Sequence, residues 1–151
     1  MATIRERSAP AGVGACCRVK EPCMTTAYWC VLIAIFLPYL ATGAAKFFGA
    51  GYGPQANSDP RAFLAGLQGW RRRANNAQQN AFEVTPAFAA AVLIAHQVGV
   101  AEQLLLDQLA VAFVVSRLLY FVCYLADWGP LRSLVWAFGM AMIVALFVVS
   151  A

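Results

Sequence analysis

The chain has 151 residues, 62% of them hydrophobic and only 12% charged, with a formal net charge of +4. A soluble domain carries about a quarter charged residues, so these figures exclude a water-facing globule, and a mean hydropathy of +0.65 places most of the chain in lipid. The positive charge is not a nucleic-acid signal, because the basic residues sit in the connections between apolar runs.

Residues 1–23 differ from the rest. They mix Arg5, Glu6, Arg7, Arg18, Lys20 and Glu21 with Pro, Gly and Ala and show no periodicity. Such composition reads as a disordered leader, with Met24 an alternative start. The domain is then 24–151. Four regions reach the roughly twenty mostly apolar residues that a span requires: Thr26–Ala45, Gln79–Val98, Glu102–Ala126 and Leu131–Ser150. They do not alternate, which excludes barrel strands. The expected fold is all-α, a bundle of four transmembrane helices at about 26–47, 60–98, 102–126 and 130–150.

The first span contains Pro38, which a membrane helix tolerates with a kink. It ends in a loop rich in glycine (Gly43, Gly49, Gly51, Gly53). Ser58 or Asp59 can cap a new helix with Pro60 in its first turn. That helix is expected to run along the membrane surface past Trp70 and to enter the bilayer after Arg73. It ends near Gly99. Glu102 opens the third helix, Asp127-Trp128-Gly129-Pro130 closes it, and the fourth follows. Such short connections make the last three helices antiparallel neighbours. Cys30 and Cys123 lie in spans, where cysteine is a small apolar filler.

Lys46, Arg61, Arg71, Arg72, Arg73, Arg117 and Arg132 make up seven of the eleven basic residues, and all flank one membrane face. The positive-inside rule assigns that face, with the first and third connections, to the cytoplasm. Both termini then lie on the opposite side.

Within this frame the polar residues of the spans fall at one depth. Arg73, Asn76, Asn80, Glu83 and Ala87 recur every three or four residues, which lines one helix face. Arg117, Tyr120 and Tyr124 do the same on the third helix, and Arg132, Ser133 and Trp136 cluster at the start of the fourth. Arg71, Arg72, Trp128 and Trp136 suit the interface, where arginine snorkels and aromatics form belts. Glu83 and Asn80 lie roughly 10–15 Å deeper than Arg73 along the helix axis. A carboxylate at that depth wants a cation or a polar ligand. Arg117 and Arg132 are the available cations, which predicts an inward-facing pocket walled by three helices.

The string Arg73-Ala74-x-x-Ala77-x-x-Asn80-x-x-Glu83, followed by Pro86 and Phe88, resembles the signature of the MAPEG superfamily (membrane-associated proteins in eicosanoid and glutathione metabolism). The later run Arg117-Leu-Leu-Tyr120-x-x-x-Tyr124, then Arg132-Ser133 and Trp136, is similar to that family's third and fourth helices. The resemblance covers residues 28–151 and is nearest to bacterial members. It implies a homotrimer in a bacterial inner membrane, with glutathione bound between subunits near the cytoplasmic face. Arg132 would stabilise the glutathione thiolate, with Tyr124 beside it. Arg73, Asn76, Asn80, Glu83, Arg117, Tyr120, Ser133 and Trp136 would bind the tripeptide. Asn76 is a departure, since many relatives carry arginine there.

The residue chemistry suits that ligand. Arginines match its two carboxylates in charge and fork geometry, and Glu83 matches its ammonium. A thiol near pKa 8.5 becomes a nucleophile at neutral pH beside a cation. The expected activity is transferase-like or peroxidase-like attack on an apolar electrophile or hydroperoxide arriving through the lipid. The alternative is a non-catalytic membrane protein of the same fold, with a binding or structural role. No metal site is expected: His96 is the one histidine, and it lies roughly 20 Å along the helix from Glu83.

Overall fold

A computed structural model of the chain describes residues 24–49 and 51–151. The leader, with its expected disorder and Cys16, Cys17 and Cys23, lies outside them. Six helices follow in order: α1 (Thr26–Phe47), α2 (Pro54–Ser58), α3 (Pro60–Ala65), α4 (Gly69–Val98), α5 (Gln103–Leu125) and α6 (Gly129–Val148). Four of them, α1, α4, α5 and α6, are long and apolar enough to cross a membrane. They pack as a bundle in which α1 lies against α4 and α5, and α6 lies against α5 and α4.

Small residues let α1 approach its neighbours closely. Its buried positions are Ala27, Cys30, Ala34, Pro38, Ala41 and Ala45, spaced by three or four. They form one stripe, and α4 presents Ala74, Ala77, Ala91 and Ala95 in return. Lipid gives helices no hydrophobic reason to associate, so close van der Waals contact between small side chains must supply the attraction. At the centre Phe88 of α4 stacks on Phe113 of α5, centroids 3.9 Å apart. Pro38 cannot donate to the Ala34 carbonyl. The Thr85 hydroxyl of α4 lies 3.4 Å from that oxygen, closer still to Ala81 O at 2.7 Å. Pro86 sits inside α4, which continues through it.

The helix expected over about 60–98 is in fact two. Asp59 caps α3 through the Ala62 N–H at 3.0 Å, with Pro60 in the first turn. The chain then breaks at 66–68 before α4 begins at Gly69. Gly69 has φ +60°, a left-handed conformation that glycine adopts without steric cost. Leu67 in the break is buried and packs with Leu64, Ala45 and Ala74. An apolar anchor and a left-handed glycine thus interrupt the expected continuous surface helix. The loop before it also gains the short helix α2. At about 45 Å, α4 exceeds the roughly 30 Å hydrocarbon core, so its polar first turns project toward the headgroups.

The far end of the bundle is pinned by polar contacts. The Asp107 carboxylate of α5 accepts the Ala27 N–H at the start of α1, 2.8 Å away, and the Gln103 amide at 2.9 Å. His96 of α4 donates Nδ1–H to Val92 O at 2.8 Å, which leaves Nε2 to accept the Thr25 hydroxyl at 3.1 Å. Tyr28 stacks on the imidazole at 4.3 Å. The first N–H groups of a helix have no partner within it; here Asp107 of α5 accepts that of Ala27, and Thr25, whose hydroxyl His96 of α4 holds, accepts that of Tyr28. Asp107→Leu leaves the Ala27 N–H unsatisfied and is expected to cost about 1–3 kcal/mol. Asp107→Asn keeps an acceptor and should cost less. Thermal unfolding in nanodiscs, with both variants beside wild type, measures the difference.

Candidate functional site

The opposite end gathers the C-termini of α1 and α5 with the N-termini of α4 and α6. Arg71 and Arg73, two residues apart on α4, reach in different directions. Arg71 Nε donates to Ala45 O at 2.7 Å, in the last turn of α1, and its guanidinium lies 5.5 Å from the Phe63 ring. Arg73 Nη2 donates to Leu125 O at 3.1 Å at the end of α5, and Nη1 pairs with Asp127 at 3.5 Å. Both arginines therefore satisfy exposed helix carbonyls and complement the negative end of a helix dipole.

Asp127 explains why Arg73 is needed there. Trp128 N donates to Cys123 O at 2.9 Å and Asp127 N to Tyr124 O at 3.3 Å, the paired bonds of a Schellman helix end. Asp127 occupies the left-handed position at φ +62°, usually a glycine's. Its carboxylate also sits at the wrong end of the α5 dipole, and Arg73 offsets that charge. Lys46 is held locally, 3.2 Å from the Tyr52 hydroxyl, which donates to Asn57 at 2.8 Å.

The polar face of α4 is turned from its neighbours. Ala74, Ala77, Val84 and Phe88 are buried and define the inner face. At 3.6 residues per turn, Asn76, Asn80 and Glu83 lie roughly a third of a turn away from it. Glu83 is exposed on the protomer surface, and its Oε2 accepts Asn80 Nδ2 at 3.2 Å. Asn80 Oδ1 is buried without a partner.

Arg117 is inside. It is 4% exposed. Its Nε donates to Ser116 Oγ and its Nη2 to Val135 O, each at 3.3 Å. The guanidinium carbon lies 5.4 Å from the Phe113 ring and 4.9 Å from the Tyr120 ring. Gly139 of α6 makes room for it: a Cβ there would collide with Nη2 and stand 2.8 Å from Ser116 Oγ. Tyr120 meets Tyr124 edge-on at 5.1 Å, and Arg132 of α6 lies over the Tyr124 ring at 4.5 Å. An aromatic face attracts a cation electrostatically, so the series Arg117–Tyr120–Tyr124–Arg132 is continuous. Arg132 stands in the first turns of α6, where the dipole is positive. Ser133 donates back to Gly129 O at 3.4 Å, and Trp136 is exposed.

The structure thus joins Arg117, Tyr120, Tyr124 and Arg132, and separately Asn80 and Glu83. It does not form the single inward pocket expected within one copy of the chain. Glu83 faces outward, Arg117 is turned into the core, and Arg73 is committed to the end of α5. The spacing of three and four named one face correctly but could not say which way that face points. Sequence reasoning also passed over Asp107, whose acidic side chain in a span was the available signal, and Gly139, a small residue between bulky ones.

These features define a multi-pass, all-helical membrane protein with cationic and amide groups concentrated at one end of its bundle. The MAPEG family model matches residues 26–151, and the chain belongs to that family. No curated protein and no solved structure matches it.

Arg73→Ala removes a charge-assisted hydrogen bond to Leu125 O, and the expected loss of stability is about 1.5–3 kcal/mol. Thermal unfolding of the variant beside wild type in nanodiscs measures the loss, and an unchanged melting temperature would show that the α5 terminus does not depend on Arg73.

Proposed function

We propose that the protein binds glutathione and activates its thiol for attack on an apolar electrophile or hydroperoxide from the bilayer. The carrying observation is the exposed carboxylate of Glu83 on a membrane-spanning helix, which among the described residues of its own protomer is paired with an amide alone. An ionisable group at such a position marks a site by default. A homotrimer supplies the missing half: the Asn76–Asn80–Glu83 face of one copy meets the Tyr124–Arg132 stack of the next. The orientation that puts this end in the cytoplasm, at a bacterial inner membrane, gives water-soluble glutathione direct access.

In this reading Glu83 takes the glutathione ammonium, while Asn76 and Asn80 bind its amides and a carboxylate. Arg132 and the α6 N-terminus favour the thiolate over the thiol, by the same physics that lowers cysteine pKa beside cations. The Tyr124 hydroxyl donates to the sulfur or to the acceptor. Arg117 acts indirectly, holding Tyr120 and through it Tyr124. Ser133 and Trp136 border the cleft, and the apolar substrate lies on the lipid side. For a chloronitrobenzene acceptor the sulfur forms the new bond to the ring carbon, chloride leaves, and the thiol proton passes to solvent.

The second reading, a non-catalytic member of the fold, has its own support. Asn76 carries no charge, and Arg73 is engaged by Leu125 and Asp127. The α4 face therefore offers a glutathione carboxylate no arginine at 76 or 73, and leaves that role to the exposed Arg72, one turn before Asn76.

Purified protein in detergent decides between them. Glutathione is expected to raise its melting temperature, and conjugation to the chloronitrobenzene to be measurable. Arg132→Ala should lower kcat about 10²–10³-fold, the usual effect of losing one transition-state charge contact, with a smaller change in KM. Glu83→Gln should weaken glutathione about 10–100-fold, as expected for losing a charged hydrogen bond. Binding without turnover would establish the non-catalytic reading, and Arg132→Ala turning over like wild type would end the catalytic one.

A further inference from the structure

Asp127 is a poor choice for stability at the place it occupies. It is the left-handed residue of the α5–α6 turn, with φ +62°, where a side chain adds strain that glycine avoids. Its carboxylate stands at the carboxyl end of α5, where the helix dipole is negative. The side chain is 70% exposed, and the ion pair it makes with Arg73, at 3.5 Å, is of the surface kind that returns little stability. Arg73 does not need that pair to reach α5, since its Nη2 already donates to Leu125 O at 3.1 Å. A residue that breaks two local rules without a compensating gain points to function.

The turn that carries Asp127 also joins the two halves of the proposed thiolate site. Tyr124 lies in the last turn of α5, and its carbonyl accepts the Asp127 N–H at 3.3 Å. Arg132 lies in the first turn of α6, and its N–H donates to Trp128 O at 2.9 Å. The 4.5 Å approach of the Arg132 guanidinium to the Tyr124 ring therefore depends on how the turn holds the two helix ends. Arg73 of α4 brackets that turn: Nη2 takes Leu125 O before it, and Nη1 faces the Asp127 carboxylate within it. We propose that Asp127 is a positioning residue, which through Arg73 fixes the α5–α6 turn to α4 and so holds the Arg132 guanidinium over Tyr124. The catalytic consequence rests on the glutathione reading; the geometric one does not. Without the carboxylate, Arg73 keeps the end of α5 but releases the entry to α6. Arg132 then moves off Tyr124, and a cation farther from the sulfur favours the thiolate less. The Asn76–Asn80–Glu83 face of α4 keeps its glutathione contacts.

The test uses Asp127→Gly in the full chain, in phosphatidylcholine nanodiscs. Glycine accepts the left-handed backbone, so the melting temperature should hold or rise. In conjugation of glutathione to the chloronitrobenzene, the pH midpoint of kcat should rise by roughly one unit, and kcat below that midpoint should fall about tenfold, the same loss of thiolate. The KM for glutathione should stay near its wild-type value. Geometry is read separately, without glutathione. With meta-fluorotyrosine in place of Tyr124, the fluorine resonance of Asp127→Gly should move toward that of Arg132→Ala, in which no cation covers the ring. Asp127→Glu, which restores a carboxylate, should bring kcat and the resonance back toward wild type. Wild type that fails to turn over glutathione would end the glutathione reading instead, and the resonance alone would then decide the positioning role. An unmoved resonance in Asp127→Gly would overturn the proposal whatever happens to kcat. An unchanged kcat and pH midpoint, beside an active wild type, would overturn it as well.

Discussion

The fold depends on how four membrane helices satisfy the ends of one another. Hydrocarbon offers no water to the terminal N–H and C=O groups of a helix, and each such group left bare costs several kcal/mol. In this protein a neighbour's side chain reaches the terminus. Asp107 serves the start of α1, Arg71 its end, and Arg73 the end of α5, while His96 holds the Thr25 side chain that caps α1. Sign follows the dipole at α1, with a carboxylate at its amino end and a guanidinium at its carboxyl end. Arg73 repeats the second half of that arrangement and also neutralises Asp127.

That constraint sorts the charged residues by job. Arg71, Arg73 and Asp107 are bound to backbone, so they fix how α1, α4 and α5 stand together. Glu83 and Arg132 are not. Glu83 remains exposed on α4, and the Arg132 guanidinium lies over the face of Tyr124. The residues left over from structural duty are the ones able to meet a ligand. Their separation onto different faces of the protomer is what makes a second copy of the chain part of the proposed chemistry.

Arg117 belongs to neither group. It is sunk between α5 and α6 because Gly139 has no side chain, and it organises Phe113 and Tyr120 by its charge. Through Tyr120 and Tyr124 its position is coupled to that of Arg132 at the edge of the bundle. A buried cation thus sets the orientation of the aromatic groups beside the candidate thiolate site.

Much of the architecture was legible from residues alone. Four long apolar runs gave four spans, because the length and hydrophobicity a bilayer demands are local properties. Gly99 and Asp59 marked helix ends, since capping chemistry is local too. The motifs around Asn80, Glu83, Arg117 and Arg132 carried the family, which the family model matches over 26–151. Periodicity placed Asn76, Asn80 and Glu83 together on one face. The rest required tertiary structure. Whether a helix face points inward is set by packing against other helices, and the alanine stripe of α1 against α4 turned Glu83 out. Arg73 and Arg117 share a residue type and stand near span ends, yet one is drawn to a bare carbonyl and the other into the space above a glycine. Those distances join residues far apart in the chain, and only the folded bundle decides them.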